Sequence, residues 1–325
     1  MKKHLTRILA VAFALVASIA APVASVFAEE EAEKPAIWLQ ISPVAKRFQL
    51  DPKAELTDKI NVDNIGSKKF KFRVYATPYT IANEAYEVNF EKETNRTQIS
   101  RWISFNQNPS AKKDSEKVWK NEVTFELDPN GRQEVEYRIS VPSDIPAGGQ
   151  YATIFAESIP EDAIETTGVR TVSRVGMILY GSTSGETVEK AEIKNFSMKS
   201  VLSSGKITAE VDIANTGNTD FSASMAMKID KIIGGTVAEI NTPYQIIPDS
   251  PDRHAVLEWD DTPMFGIFKV KTTVTALDQV YEEEKIVLVL PLFIVIIMLV
   301  LLTIIIAWLI ILIRKRHAQK SRLIV

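Results

Sequence analysis

The chain lacks cysteine entirely and has only three histidines in 325 residues. The missing thiols exclude a disulfide framework, a thiol nucleophile, an iron–sulfur cluster and every cysteine-ligated zinc site. Two of the histidines, His4 and His317, lie in terminal segments that we expect outside the folded part. The sequence therefore predicts a protein that is not an enzyme, with no catalytic, cofactor-binding or metal-binding residue and no cofactor.

The N-terminus has the layout of a secretory signal. Three basic residues open the chain, residues 8–21 form an apolar run, and Val26-Phe27-Ala28 places small residues at the two positions that signal peptidase inspects. The run is short for a membrane span, which needs about 20 residues. Residues 1–28 are therefore predicted to be a signal peptide cleaved after Ala28, with an uncleaved anchor helix as the alternative.

The C-terminus predicts a membrane-spanning helix. Ile286–Ile313 is a run of 28 residues without a charge, long enough to cross a hydrocarbon core of about 30 Å. Three glutamates precede this run, and five basic residues follow it within 314–325. By the positive-inside rule, the tail 314–325 is cytoplasmic and residues 29–285 are extracytoplasmic. We predict a single-pass protein of the cell membrane.

The exterior segment 29–285 is acidic. It holds all 41 acidic residues and 30 of the 38 basic ones, a formal charge of −11. An acidic surface disfavours nucleic acid and disfavours adsorption to anionic polymers by charge alone. Nucleic acid is therefore not a predicted partner.

Apolar and polar residues alternate with a period of two along the exterior segment. Phe70–Ala76, Val135–Val141 and Ile207–Ile213 are three such stretches, and each is typical of a strand with one buried face. No part of 36–285 shows a long helical period. Short strands between turn clusters predict an all-β fold of two immunoglobulin-like β-sandwiches.

An internal repeat supports two related modules. Ile60–Gly66 with Phe70 four residues on recurs as Val211–Gly217 with Phe221 four residues on. We interpret each copy as a strand end, an Asn-Gly turn and an aromatic core residue that opens the next strand. A Pro/Gly corner also recurs late in each module, at residues 146–151 and 263–268.

The stretch Gly181-Ser182-Thr183-Ser184-Gly185 is the most linker-like of the chain. It predicts a first module at 36–180, a linker at 181–189 and a second module at 190–285. The first module carries an insertion, Asn106–Asn121, predicted to be a solvated loop with a helical turn at Glu116–Trp119. Trp119 is predicted to plug the core, with an exposed contact as the alternative.

Candidate chemistry in the exterior segment is sparse. His254 has no nucleophile motif beside it and is predicted to be a surface histidine at a strand end. The carboxylates Asp260-Asp261 and the stretch Asp249–Asp252 are predicted to form turns, with glycoside hydrolysis and calcium binding as the respective alternatives.

Four short segments resemble the bacterial surface family of WxL-interacting proteins. They are Leu39–Pro43, Phe48–Pro52, Ile60–Asn64 and Gly148–Tyr151. The resemblance covers nearly the whole mature chain in architecture, and short motifs of this kind also occur in periplasmic pilus chaperones. It implies two exterior domains, a first that binds peptidoglycan and a second that binds surface proteins or host ligands, before one transmembrane helix. No binding residue of that family maps onto this chain.

The function predicted from these features is that of a membrane-anchored cell-surface binding or adhesion protein. Its immunoglobulin-like modules would recognise cell-wall material or partner surface proteins. One alternative is a membrane-tethered chaperone or assembly scaffold that acts by strand addition, for which Thr153–Ala156 is the most apolar candidate strand. A wall-acting hydrolase is the alternative from another functional class.

Overall fold

The alternating stretches of the sequence form strands throughout the described part of the chain. The computed structural model describes residues 35–160 and 172–322. It is all-β with one long C-terminal helix, so the predicted fold class is confirmed at that level. Helix α1 (Ile99–Trp102) and a 3-10 turn (Asp114–Glu116) are short interruptions. The predicted signal peptide, 1–28, lies outside the described residues.

The N-terminal strands form two five-stranded sheets. Sheet I has the order β1-β3-β10-β7-β8 and sheet II the order β2-β12-β11-β4-β9. Their strands are β1 (Leu39–Ser42), β2 (Ala45–Leu50), β3 (Glu55–Asn64), β4 (Phe70–Pro78), β7 (Ile103–Asn106), β8 (Trp119–Lys120), β9 (Glu122–Leu127), β10 (Arg132–Ser140), β11 (Gly148–Ile159) and β12 (Arg174–Thr183). Between β4 and α1, β5 (Thr80–Ile81) and β6 (Val88–Asn89) form a small hairpin.

One buried cluster joins sheets I and II. It contains Ile60 and Val135 from sheet I, and Phe72 and Ile154 from sheet II. These residues are the apolar members of the period-two stretches, so the alternation places one face of each sheet in a shared core. We call sheets I and II the first sheet pair.

The C-terminal strands repeat this arrangement with fewer strands on one side. Sheet III has the order β13-β15-β18, and sheet IV the order β14-β20-β19-β16-β17. The strands are β13 (Ala191–Met198), β14 (Val201–Leu202), β15 (Ile207–Asn215), β16 (Phe221–Lys231), β17 (Gly235–Ile246), β18 (Arg253–Trp259), β19 (Gly266–Ala276) and β20 (Gln279–Val289). A second core, which includes Val211 of sheet III and Met225 of sheet IV, joins them into the second sheet pair.

The repeated Asn has the same role in both pairs. Asn64 ends β3, donates from Nδ2 to the carbonyl of Lys68 (2.8 Å) and accepts from the backbone N–H of Gly66 (2.9 Å). Asn215 ends β15 and makes the equivalent bonds to Thr219 (2.8 Å) and Gly217 (2.9 Å). The amide thus satisfies the turn backbone that the strand ladder leaves unpaired.

The Asn side chains also tie the turn to a neighbouring strand. Asn64 donates to the carbonyl of Leu127 at 3.4 Å, and Asn215 to that of Ile246 at 3.1 Å. Leu127 ends β9 and Ile246 ends β17, so the two contacts are equivalent in the two sheet pairs. The repeat detected in the sequence therefore corresponds to a turn in each sheet pair that is held by the same hydrogen bonds from an asparagine side chain.

The linker prediction needs correction at its start. Gly181, Ser182 and Thr183 are not linker residues but the end of β12, where they pair with Phe48–Leu50 of β2. A Cβ on Gly181 would lie 2.3 Å from a methyl carbon of Leu50, so glycine is needed there for close packing. The glycine that resembled a flexible linker is a packing residue.

The membrane-span prediction also needs correction at its start. Ile286–Val289 continue β20 and pair with Gly266–Lys269 of β19. Helix α2 (Leu292–Arg322) follows directly, and Leu292–Ile313 is its 22-residue stretch long and apolar enough to cross a membrane. The run without charges therefore spans two elements, because a strand with apolar residues on both faces gives no alternation.

The predicted insertion loop contains more regular secondary structure than expected. Its helical turn lies at Asp114–Glu116, not at Glu116–Trp119, and Trp119 belongs to the short strand β8. Trp119 is half-buried outside the apolar core, and the guanidinium of Arg138 lies 4.5 Å from its ring centroid. The prediction that Trp119 packs into the core is therefore wrong. The guanidinium of Arg138 covers the ring, where a core residue would have been covered by apolar side chains.

Candidate functional site

A buried carboxylate lies where the two sheet pairs meet. Asp220, whose side chain is 4% exposed, lies 2.8 Å from the guanidinium of Arg47 on β2. It also accepts hydrogen bonds from the hydroxyl of Tyr151 on β11 (3.2 Å) and from the amide of Gln245 on β17 (2.5 Å). A buried charge with one cation and two neutral donors is well compensated. These bonds fix the first sheet pair to the second.

The Gly-Gly-Gln-Tyr segment at 148–151 builds the same junction. Gly148 has a φ of 102°, and a Cβ there would lie 2.2 Å from the carbonyl oxygen of Asn218. That carbonyl accepts the backbone N–H of Gly149 at 2.8 Å. Burial, then the negative charge of Asp220, raises the pKa of Tyr151, so its hydroxyl remains a donor. The sequence predicted a Pro/Gly corner here, and in the structure this corner is where the first sheet pair contacts the second.

The β5–β6 hairpin holds the junction from another side. The hydroxyl of Tyr86 accepts the backbone N–H of Ile247 at 2.9 Å, and the guanidinium of Arg253 lies 4.4 Å from the Tyr86 ring centroid. Arg96 adds an ion pair to Asp249 at 2.9 Å. Because these polar contacts and an apolar cluster that includes Tyr151 and Ile247 both cross the junction, the described residues of the two pairs and of α2 belong to one compact unit.

A small open cleft lies beside the buried carboxylate. Its volume is about 350 Å³, and Arg47, Gln49, Tyr180, Glu189 and Asp220 are among the lining residues. Arg47 stacks on Tyr180, with 4.6 Å from guanidinium carbon to ring centroid, and pairs with Asp220. Its charge is thus already compensated, and the cleft can offer hydrogen bonds but little net attraction for an ion.

Strand β17 offers a different kind of surface. It is a 12-residue strand at the margin of sheet IV, and within the described part of the chain it pairs only with β16. Glu239 is the one charged residue in its sequence, and Val237, Ala238 and Ile240 are partly buried against the second core. A long terminal strand with few charges presents unpaired N–H and C=O groups to a further strand.

The two halves of β17 differ in access. Near its C-terminal end, the Tyr244 hydroxyl contacts the carbonyl of Val256 on β18 at 3.4 Å, and Pro243 removes a backbone donor. Among the described residues, neither feature recurs in residues 236–242, where the pairing with β16 shifts register at Val237. Sheet III opposes sheet IV with three strands against five. The N-terminal half of β17 is therefore the open edge; we use this name for residues 236–242.

The strand that the sequence favoured for capture is an interior strand. Thr153–Ala156 lie in β11, which pairs with β12 on one side and with β4 on the other. No backbone edge remains there for a partner, so this candidate is wrong. All four residues are buried, as expected of a strand inside a sheet that is covered on both faces.

The predicted turns and the surface histidine are confirmed. Asp260 and Asp261 form a turn after β18, and Asp249 lies in a turn with a φ of 55°. His254 is the second residue of β18, and its Nδ1 lies 2.8 Å from the carboxylate of Asp212. Within the described ranges, no group of three or more His, Cys, Asp or Glu side chains could hold a metal ion.

Sequence reasoning missed the ion pair at the junction and the open edge. Arg47 and Asp220 are distant in sequence, and neither belongs to a motif. Whether a strand lies at the edge of a sheet also cannot be read from the residues of that strand. The one signal in the sequence is the low charge of Gly235–Ile246, which hold a single charged residue.

Comparisons with known proteins give remote likenesses only. No family model matches the chain, and no curated protein matches it either. Among solved structures, the class 5 fimbriae chaperone CfaA is 11% identical with a TM-score of 0.38, and the alignment covers 76% of this chain and 99% of that chain. The E. coli chaperone DraB is 12% identical with a TM-score of 0.36, covering 77% and 97%. At these values the likenesses carry no functional argument.

Proposed function

We propose that this chain is a membrane-anchored, non-enzymatic binding protein of the cell surface. One observation carries the proposal: the 22-residue apolar stretch Leu292–Ile313 has none of its length buried in the structure and follows the last strand after only two residues. An exposed apolar helix of that length matches the thickness of a bilayer. The basic tail 314–325 and the signal-like N-terminus support an exterior position for the β-sheet body.

The body would act by holding a partner in contact. Its open edge, residues 236–242, supports recognition of an extended polypeptide that adds a strand to sheet IV. Backbone groups would supply affinity, and the exposed side chains of Glu239 and Asn241 would contribute to selection. The fixed junction around Asp220 would hold this edge at a constant position relative to the first sheet pair.

A partner surface protein is the ligand that the open edge favours. Binding of cell-wall polymer stays a prediction, as does membership of the WxL-interacting family. In the cleft beside Asp220, Arg47 already covers the ring of Tyr180, so this aromatic face is not free to stack on a sugar ring.

The membrane part of the proposal is tested by fractionation of cells that express the full chain. We expect the protein to stay in the membrane after washing at alkaline pH. A chain truncated after Leu290 should be released into the medium or the wall fraction. Retention of the truncated chain after the same alkaline wash, with its signal peptide shown to be cleaved, would refute the anchor.

Strand addition is tested by photo-cross-linking in intact cells. A photoreactive residue is placed at Glu239, on the edge, or at Lys228, its direct partner on the interior strand β16. Both positions are exposed, so Lys228 is a matched control one strand further in. We expect a discrete protein adduct at Glu239 only, and loss of it in the variant Thr236→Lys, since an edge lysine blunts pairing. Equal adducts at both positions would refute strand addition.

A further inference from the structure

The turns at one end of the second sheet pair carry unusual residues. The turn between β16 and β17 exposes Ile232 (53%) and Ile233 (90%), and the segment before β19 exposes Met264 (66%) and Phe265 (68%). Turns are ordinarily built from Gly, Asn, Asp, Ser and Pro, because these residues suit the backbone and remain in water at no cost. We call these four side chains the apolar tip.

Strand register places the apolar tip beside the start of the helix. Lys231, the last residue of β16, pairs with Phe268 of β19, and Gly266 of β19 pairs with Val289 of β20. The end of β16 and the start of β19 therefore lie at the same end of sheet IV as the end of β20. From that end the chain enters α2 at Leu292.

Two surface hollows show that these segments adjoin. One of about 450 Å³ is lined by both turns, including Ile233 and Phe265. The other, of about 700 Å³, is lined by Met264 together with Leu292 and Phe293 of the first helical turn. The apolar surface is thus continuous from the tip to the helix.

We propose that the apolar tip inserts into the bilayer interface and seats the second sheet pair upright on the membrane; this rests on the membrane anchoring proposed above. The apolar stretch of α2, 22 residues long, spans about 33 Å at 1.5 Å per residue, close to the hydrocarbon thickness. The surface of the bilayer then lies near Leu292, level with the tip. Large apolar side chains at that depth leave water for the headgroup and acyl boundary.

Seating would set the direction of the open edge. Residues 236–242 follow closely on the turn that carries Ile232 and Ile233. The open edge would therefore begin at a fixed distance from the membrane surface and run away from it. A body held by α2 alone would swivel about Leu290-Pro291. Two points of contact would restrict this motion, and partners would meet the edge in one orientation.

The natural absence of cysteine makes the test direct. Single substitutions Ile233→Cys and Phe265→Cys receive a fluorophore in the full chain, in vesicles of phosphatidylcholine and phosphatidylglycerol. Val280→Cys is the matched control, since Val280 is 61% exposed and lies nine residues from Val289, about 30 Å along β20 toward the far end of the sheet. Leu302→Cys, in the middle of the apolar stretch, reports the span itself.

Lipids brominated near the headgroup should quench the labels at 233 and 265 several-fold more than the label at 280. Aqueous iodide should show the reverse order. Tip labels that behave like the label at 280 would overturn seating while leaving the anchor intact. Tip labels shielded from iodide but not quenched by lipid would mean that a protein, such as a second copy of the chain, covers the tip, and would also overturn it. A label at 302 that deeply brominated lipid does not quench would refute the anchor, and seating with it.

Discussion

The repeated Asn turn gives the sharpest test of how this sequence specifies its fold. Asn64 is fully buried and bonds to Lys68, Asp128 and Gly66 at 2.8, 3.1 and 2.9 Å. Each such bond contributes about 1 kcal/mol net, and its longer contact to Leu127 adds little. Asn64→Ala should therefore lower the free energy of unfolding by about 3 kcal/mol, a large share of the stability of an ordinary domain.

The measurement is urea unfolding of the full chain in detergent micelles, followed by tryptophan fluorescence. A loss of this size lowers the urea midpoint by about 1 to 1.5 M for a slope between about 2 and 3 kcal/mol per M. Asn241→Ala is the control: Asn241 is exposed on β17, so its removal should change stability by less than about 0.5 kcal/mol.

Asn215→Ala should come close to the Asn64 value. Asn215 keeps the same turn bonds, to Thr219 and Gly217, and its 3.1 Å bond to Ile246 replaces the weaker contact that Asn64 makes with Leu127. If Asn64→Ala and Asn215→Ala unfold at the same urea concentration as Asn241→Ala, the turn amides do not stabilise the fold, and the explanation of the repeat is refuted.

Three further substitutions test separate parts of the structure. Burial alone would raise the pKa of Glu157, but the hydrogen bond from Tyr75 (2.6 Å) and nearby arginines hold it below the ordinary value of 4.5. The unfolded chain then takes up the proton at higher pH than the folded chain, so stability is lost as the pH falls below about 4.5. Glu157→Gln should therefore make the urea midpoint depend less on pH between neutral and acidic conditions. An unchanged pH dependence in the variant would contradict this. Gly181→Ala should cost about 1 to 3 kcal/mol in the same unfolding assay, because the new Cβ meets Leu50 at 2.3 Å. A neutral result would show that the packing of Leu50 does not require glycine at this position. The buried hydroxyl of Thr153 has no hydrogen-bond partner among the described residues, so Thr153→Val should raise the free energy of unfolding by about 1 kcal/mol and the urea midpoint with it. A lowered midpoint would show an unseen partner.

Local patterns accounted for much of the fold. The period-two stretches became strands because each residue type reports which face of its own strand is buried. The repeat around Asn64 and Asn215 was visible because a turn satisfies its backbone with residues only a few positions apart. Both features depend on short-range chemistry that any window of sequence contains.

The predicted starts of the linker and of the membrane span were wrong because the same residue types occur in two kinds of structure. Gly181 suited a linker by composition, yet the packing of Leu50 against it decides its place at the end of β12. Ile286–Val289 suited a membrane span by hydropathy, yet pairing with β19 keeps them in sheet IV. A residue's own chemistry cannot distinguish these cases, because the neighbour that decides lies far away in sequence.

The sequence by itself determined the all-β class, the paired turn motifs and the presence of one apolar C-terminal helix, since these follow from periodicity, turn chemistry and length. Only the tertiary structure decided which strands end a sheet, which charges meet at the junction and which turns lie beside the helix. Arg47 and Asp220 become neighbours, and β17 becomes an open edge, only through strand order. Strand order is set by the summed packing of both cores, which no single segment encodes.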